Sequence, residues 1–325
     1  MSSTRQWKRV CQAFFGSKTT GNAIMVEDLR ISFEITKTIG STPNQAKITV
    51  YNLSQSRELE IVGRIGDLDD EVLSSDIDEV IINAGYKDAT QLLFRGNIKH
   101  AFRHREGNNH LMVIEAADGD KDIRQTTINV ALKAGTTDDQ LVDHVVSQFG
   151  TTKKGHVIVP DRKRIRGQVF SGGAPEVLNA LAKQVNGQWS IQDAHLQIVP
   201  VDSTLPNEAV VMRSDTGMLS APEISDKGVK VRCLLNPRVI VNGKVQIDNN
   251  DLKQQILKQR TRAPGAKPKK KKGTKVLARL DPDGIYKVYK VIHKGDTRGT
   301  SSGDWVTEAY CMALNKPIPA GRGVP

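Results

Sequence analysis

The sequence predicts a mainly β protein in which a smaller α+β module separates two β units. Three observations carry the prediction. Short runs of alternating polarity dominate both ends of the chain, as in LRISFEI, where Leu29, Ile31, Phe33 and Ile35 alternate with Arg30, Ser32 and Glu34. The two strongest helical stripes both fall near the middle. Aromatic residues make up only 5% of the 325 residues, which suits several thin β layers better than one thick core. A chain of this length spans about two domains and buries enough surface to need no covalent staples.

At the N-terminus two patterns compete. Trp7, Val10, Cys11, Phe14 and Phe15 fit one face of an amphipathic helix. Read as a strand, Val10, Gln12 and Phe14 face one way and Cys11, Ala13 and Phe15 the other. A cationic helix with Trp lies on membranes, but packing onto the first β unit is the expected role. LRISFEI and AKITVYNL form two strands around a turn at Gly40–Asn44. Ser54 is the candidate N-cap of a short helix with Leu59, Val62 and Ile65 on its stripe. EVIINAGY, QLLFRGNIKHAFRHRE and NNHLMVIEAADGD follow as strands, the last two joined at Gly107-Asn108-Asn109. Gly85 and Gly96 within strand patterns suggest bulges. Residues 24–118 thus read as a small barrel or sandwich.

The texture changes at Ile123. Thr137-Asp138-Asp139 opens a helix striped by Leu141, Val142, Val145, Val146 and Phe149 and stopped by Gly150. Pro175 opens a second, striped by Val177, Leu178, Leu181, Ala182 and Val185 and closed by Gly187. The hairpin QWSIQDAHLQIVPV turns near Asp193. After Pro206, AVVMRS, GVKVRCLLN and RVIVNGKVQI read as strands broken at Pro222 and Asn236-Pro237. GIYKVYKVIHKGDTRG and DWVTEAYCMAL complete the second β unit, with GDTRGTSSG a flexible hairpin loop. No internal repeat is evident.

The formal net charge is +11, but nine basic residues and no acidic ones lie between Lys258 and Lys275, which leaves +2 for the rest of the chain. This segment reads as a solvated insertion loop. Its functional reading is an arm for phosphate or a partner, through Lys267, Lys269, Lys270, Lys271, Lys272 and Lys275. No aromatics interleave for base stacking. The acidic run Asp67, Asp69, Asp70, Glu71, Asp76, Asp78 and Glu79 reads as a second solvated loop, since it lacks the Gly and distal Glu of a calcium loop.

Catalytic signatures are missing. There is no G-x-S-x-G elbow, P-loop or H-E-x-x-H. DGDKD places Asp118, Asp120 and Asp122 like the start of a calcium loop, but Ile123 and Asn129 occupy the positions that need Gly and Glu. It reads as a charged turn leaving a strand. His100 and His104 share a strand face about 13 Å apart, at about 3.3 Å per residue, too far for one metal. Cys11, Cys233 and Cys311 form no C-x-x-C pair, and Cys233 reads as buried filling. No apolar run approaches the ~18 residues of a membrane span, and no secretory signal is visible. No metal, cofactor or catalytic residue is expected.

Taken in order, LRISFEI, PNQAKITVYNLS, VIINAGY, LFRGNI, IEAADGD, GTTDDQLVDHVVSQFG, LNALAKQVNGQWSIQDAHLQIV, GMLSAPEISDKGVKVRCLLNPRVIVNGKVQI and YKVYKVIHKGDTRG resemble the baseplate hub proteins of contractile-tailed bacteriophages. The likeness spans most of the chain and rests on the colinear set, especially YNLS–AGY–F-x-G and CLLNP–GDTRG. It implies two tube-forming antiparallel β-barrel domains. It also implies a homotrimer whose six barrels ring the genome-ejection path. Such a ring joins the tail tube protein above to the central spike below and meets other baseplate proteins. The implied location is the virion, after assembly in the host cytoplasm. The implied layout is an N-terminal arm or strand (1–22), a first barrel (23–122), an α+β module with two helices and a hairpin (123–204), a second barrel (205–315) carrying the basic loop 258–275, and a tail (316–325). Two other readings stand beside it: a nucleic-acid-binding structural protein acting through the Lys-rich loop, with transient DNA contact, and a tail-associated cell-wall hydrolase housed in the α+β module. Stable membrane insertion is not expected.

Overall fold

The computed structural model describes residues 8–16, 23–62, 77–87, 89–225, 228–247, 284–301 and 303–314. The basic segment 258–275, most of the acidic run 67–79, Trp7, Ile65 and the tail 316–325 lie outside the described residues. In chain order the elements are β1 (Arg9–Gly16), β2 (Ala23–Val26), β3 (Ile31–Thr38), β4 (Gln45–Tyr51), α1 (Gln55–Val62), β5 (Glu79–Tyr86), β6 (Ala89–Glu106), β7 (Asn109–Ala117) and α2 (Asp120–Gln125). Then come β8 (Thr127–Leu132), α3 (Asp138–Ser147), β9 (Lys153–Val157), β10 (Gln168–Gly173), α4 (Ala174–Gln184), β11 (Gly187–Gln192) and β12 (His195–Pro200). The chain continues through β13 (Val210–Met212), a 3-10 turn at Ser214–Thr216, β14 (Glu223–Ser225), β15 (Gly228–Leu234), β16 (Lys244–Ile247), β17 (Ile285–Asp296) and β18 (Trp305–Ala313).

The fold is mainly β. Thirteen strands form one sheet in the order β14-β15-β18-β17-β3-β4-β7-β6-β5-β1-β2, with β16 also on β17 and β13 on β16. Within the described residues this order runs from β14 to β2 without closing. The first β unit joins the second through β3 and β17, antiparallel from Lys290 opposite Thr38 to Asp296 opposite Ser32. Among the described residues, buried apolar side chains gather in three cores. One lies under the first β unit and includes Phe15, Phe33, Ile48, Ile82 and Ile114. One fills the α+β module between α3, α4 and its small sheets. The third, with Val231, Val245, Tyr286 and Ala309, lies under the second β unit.

The N-terminal segment is a strand. β1 pairs β5 over eight residues and buries Cys11, Ala13 and Phe15. α3 and α4 follow the predicted stripes, since Leu141, Val142 and Val145 are buried on one and Val177, Leu178, Leu181 and Ala182 on the other. Thr137 caps α3 in a capping box with Gln140. The hairpin turns where predicted, with Asp193 and Ala194 both at positive φ, as a two-residue hairpin turn requires.

Several expectations need correction. The short helix α1 turns Glu58 and Ile61 inward and leaves Leu59 half-buried, while the Val62 side chain and Ile65 of the predicted stripe lie outside the described residues. Both bulges of this unit sit on β6, where Leu93 and Lys99 are the unpaired extra residues. Gly96 instead permits close approach: a Cβ there would lie 2.8 Å from the Ala117 carbonyl oxygen. Only Lys244–Ile247 of RVIVNGKVQI is a strand. Asn236 accepts from the Arg238 N–H, Val239 donates back to the Asn236 carbonyl, and Asn242 takes a positive φ, so the β-branched run folds as a turn that still buries Val239 and Val241. The strands β8, β9 and β10 and the helix α2 had no clear sequence signal.

Candidate functional site

Among the described residues no three His, Cys, Asp or Glu gather to hold a metal. The three cysteines are free and buried, and burial pushes the Cys11 and Cys233 thiols up to about 12. The organised features are surfaces and junctions.

One such surface is the outer face of the thirteen-stranded sheet. Cross-strand register places His100, Glu115, Lys47, Glu34 and Lys294 side by side on β6, β7, β4, β3 and β17. Neighbouring strands are about 4.8 Å apart, so from Glu115 to Lys294 charge alternates in sign across four strands and over the seam between the two β units. Lys294 pairs with Glu34 at 3.2 Å. On the second unit the same face carries Lys230 and Arg232 against Glu308, with Lys230 and Lys290 both over the Tyr310 ring. The opposite face of the same strands supplies Ile31, Phe33, Ile35, Ile48 and Val50 to the core. Simple alternation therefore produces a polar wall backed by a dry layer.

The α+β module docks on that dry side through its hairpin tip. Lys37 turns inward from β3 and contacts both oxygens of Asp193 at 2.7 Å. Asp118, at the end of β7, accepts the backbone N–H groups of Asp193 and Ala194. Asn44 donates to the Ile191 carbonyl at 2.8 Å and to Gln192, which in turn donates to the Thr38 carbonyl. Burial, with the adjacent Asp193 charge, pushes the Asp118 carboxyl up to about 7. Asp122, on α2, accepts five donors from Gly150, Thr151 and Thr152. Burial opposes its ionisation, but these bonds outweigh it and hold the carboxyl below its ordinary range. DGDKD is the charged turn that leaves β7, and it forms a buried joint: Asp118, Asp120 and Asp122 are all buried. The module's other end meets the second β unit at Lys287, whose ammonium donates to the Pro200 carbonyl at 2.9 Å and which burial pushes down to about 8.

A second clasp gathers the loop after β17. Arg30 forms a two-point pair with Asp296 and lies 4.4 Å over the Tyr51 ring. Arg9 donates to the Asp296 and Gly299 carbonyls, and Thr297 accepts the Ile31 N–H. Burial pushes Asp296 up, but Arg30 and the Arg298 N–H prevail and keep it ionised. The GDTRG loop is therefore pinned to β1 and β3 rather than flexible.

The predicted contact residues Lys267, Lys269, Lys270, Lys271, Lys272 and Lys275 lie outside the described residues. His100, His104 and His110 are exposed along the β6–β7 hairpin. The joint residues Lys37, Asn44, Asp118, Asp122 and Asp193 were missed by sequence reasoning; only the unusual density of Asp in DGDKD marked their place. The histidine His293 is buried, bonded to Thr307 at 2.9 Å, and pushed down to about 3 by burial and the Lys37 charge. No described helix is long and apolar enough to cross a membrane.

Comparison with known proteins bears on these surfaces. A search of curated proteins finds no match. Among solved structures, the 43 kDa tail protein of prophage MuSo2 from Shewanella oneidensis aligns over 94% of this chain and 98% of its own, with 8% identity and a TM-score of 0.57. The tail protein from Neisseria meningitidis MC58 aligns over 94% and 96%, again at 8% identity and 0.57. An Escherichia coli type VI secretion component, described as structurally similar to the bacteriophage T4 tail proteins gp27 and gp5, aligns over 87% and 73% at 7% identity and 0.53. These likenesses establish a shared fold. The family model described as baseplate hub gp41 matches residues 13–251, a span that holds the first β unit, the docked module and the start of the second. With its polar wall, buried joint and match over most of its length, the chain belongs to the baseplate hub gp41 family, structural components of the bacteriophage tail.

Proposed function

We propose that the chain is a non-enzymatic hub subunit whose two β units are tube-forming barrel domains. Three copies form a ring around the genome-ejection path, with the tail tube protein above, the central spike below and other baseplate proteins around it. One observation carries this reading: the sheet passes unbroken from one β unit to the other through β3 and β17, and its outer face is polar with alternating charge across that seam. A subunit of a closed ring needs such a continuous wall and two unlike side surfaces for its neighbours. Self-paired charge keeps the wall wetted without a strong net field, which suits a passage for a polyanion. The residue blocks 23–122, 123–204 and 205–315 would act as the units of this assembly; the first core also draws Cys11, Ala13 and Phe15 from β1 and Leu235 and Trp305 from the second β unit. The basic segment 258–275 is a partner-contact arm that touches DNA transiently.

The test is labelling of a Lys47→Cys variant, before and after incorporation into particles, with light scattering of the free protein. The native thiols are buried, so background labelling stays low. A trimeric mass, with labelling by a small maleimide but not by a bulky one in particles, supports the reading. A monomeric mass, or equal access for both reagents in particles, contradicts it.

A further inference from the structure

Ile165 and Val169 are the most exposed large apolar residues among those described, at 92% and 77% exposure. Single exposed aliphatics are ordinary; these two are held in place. The loop before β10 is stitched to the start of α3: Arg164 donates its N–H to the Thr136 carbonyl and accepts from the Gly135 N–H, and Lys163 bridges Thr137. The Arg164 guanidinium is buried against Asp138, also held by Arg162, and lies over the Phe170 ring. This fixes residue 164 and so presents Ile165 from a rigid base. β10 pairs only β8, with Val169 opposite the exposed Ala131, while the alternate residues Val130 and Phe170 pack onto the module core. Around this outward patch stand Lys133, Lys163 and Arg166, all exposed and none in an ion pair among the described residues.

We infer that this tip of the α+β module is a docking surface for another baseplate protein, one that offers an apolar hollow rimmed by Asp or Glu. Preorganised aliphatic side chains lower the entropy cost of binding, and unpaired cations at the rim select an acidic partner and steer its approach. Two aliphatic side chains without an exposed aromatic or an amphipathic helix fit a protein hollow better than a lipid surface. The inference rests on the chain being a hub subunit, and the test separates the two.

Full-length chains carrying Ile165→Asp, or the pair Lys163→Glu and Arg166→Glu, would replace the native one in the phage. The expected result is an unchanged melting temperature and hub mass for both variants, with the yield of infectious particles down about tenfold or more, as for loss of an interface anchor. Suppressors of the charge reversal should lie in a second baseplate protein, with an acidic residue replaced by a neutral or basic one. Native particle yield from both variants would overturn the inference. So would suppressors within this chain, which would mark a contact between copies, or vesicle binding by the native protein that Ile165→Asp abolishes. A monomeric mass for the native protein would instead count against the hub reading itself.

Discussion

Asp122 accepts the backbone N–H groups of Gly150, Thr151 and Thr152 together with both threonine hydroxyls. Asp122→Ala would leave those donors without an acceptor in a buried site, so the loss should be about 3 kcal/mol or more, seen as a clear fall in the denaturant midpoint. His293 gives a test through pH. Its folded pKa is lowered from 6.5 to about 3 by burial, so the unfolded chain binds the proton more readily. Its contribution is intact above pH 6.5 and declines as the pH falls from there toward 3. Melting curves of His293→Gln should decline less steeply over that window than those of the native protein; parallel curves would refute the assignment. Neither residue announced itself. His293 looked like one more residue of an alternating strand, and only the register shows that it alternates into the core.

Between elements, the docking of the β11–β12 hairpin on β3 and β7 decides how the module is held. Gly119 sits at positive φ, and a Cβ there would lie 2.5 Å from Ile191 Cδ1. Gly119→Ala should therefore destabilise by about 1–3 kcal/mol, through strain and displaced packing. Lys37→Met leaves the Asp193 carboxylate without its cation, although the Arg95 N–H remains on it. Amide exchange should then quicken in β11 and β12 while β4 and β7 stay protected; uniform loss of protection would mean that the joint is not a separate unit. Helices α3 and α4, the hairpin and the long strands were legible because caps, stripes and period-2 patterns are local. The strands β8, β9 and β10 were not, because short half-exposed strands owe their pairing to partners distant in sequence. The turn at 236–242 misled for the related reason that its valines pack into the core from non-strand backbone.

At the scale of the whole molecule, the two β units behave as one wall. β17 contacts β3 along seven register pairs, so separating the units would expose the backbone of both strands and part of two cores. The mainly β class, the central α+β module and the family were all readable from colinear segments. The continuity of the sheet was not, since β3 and β17 are some 250 residues apart and nothing local signals their pairing. The net charge of +11, concentrated in one segment, gave no hint of the alternating rows on the sheet face. Those rows lead to a further expectation: Lys47 is exposed, so Lys47→Gln should leave the fold stability within about 0.5 kcal/mol and yet slow genome delivery, measured as the rate of host killing.

Imaging assembled baseplates at side-chain detail tests the central claim most directly. Three copies are expected around the tail axis, with Glu34, Lys47, Glu115 and Lys294 facing the channel and the α+β module outside. Any other copy number, or a sheet whose polar face points away from the channel, would contradict it.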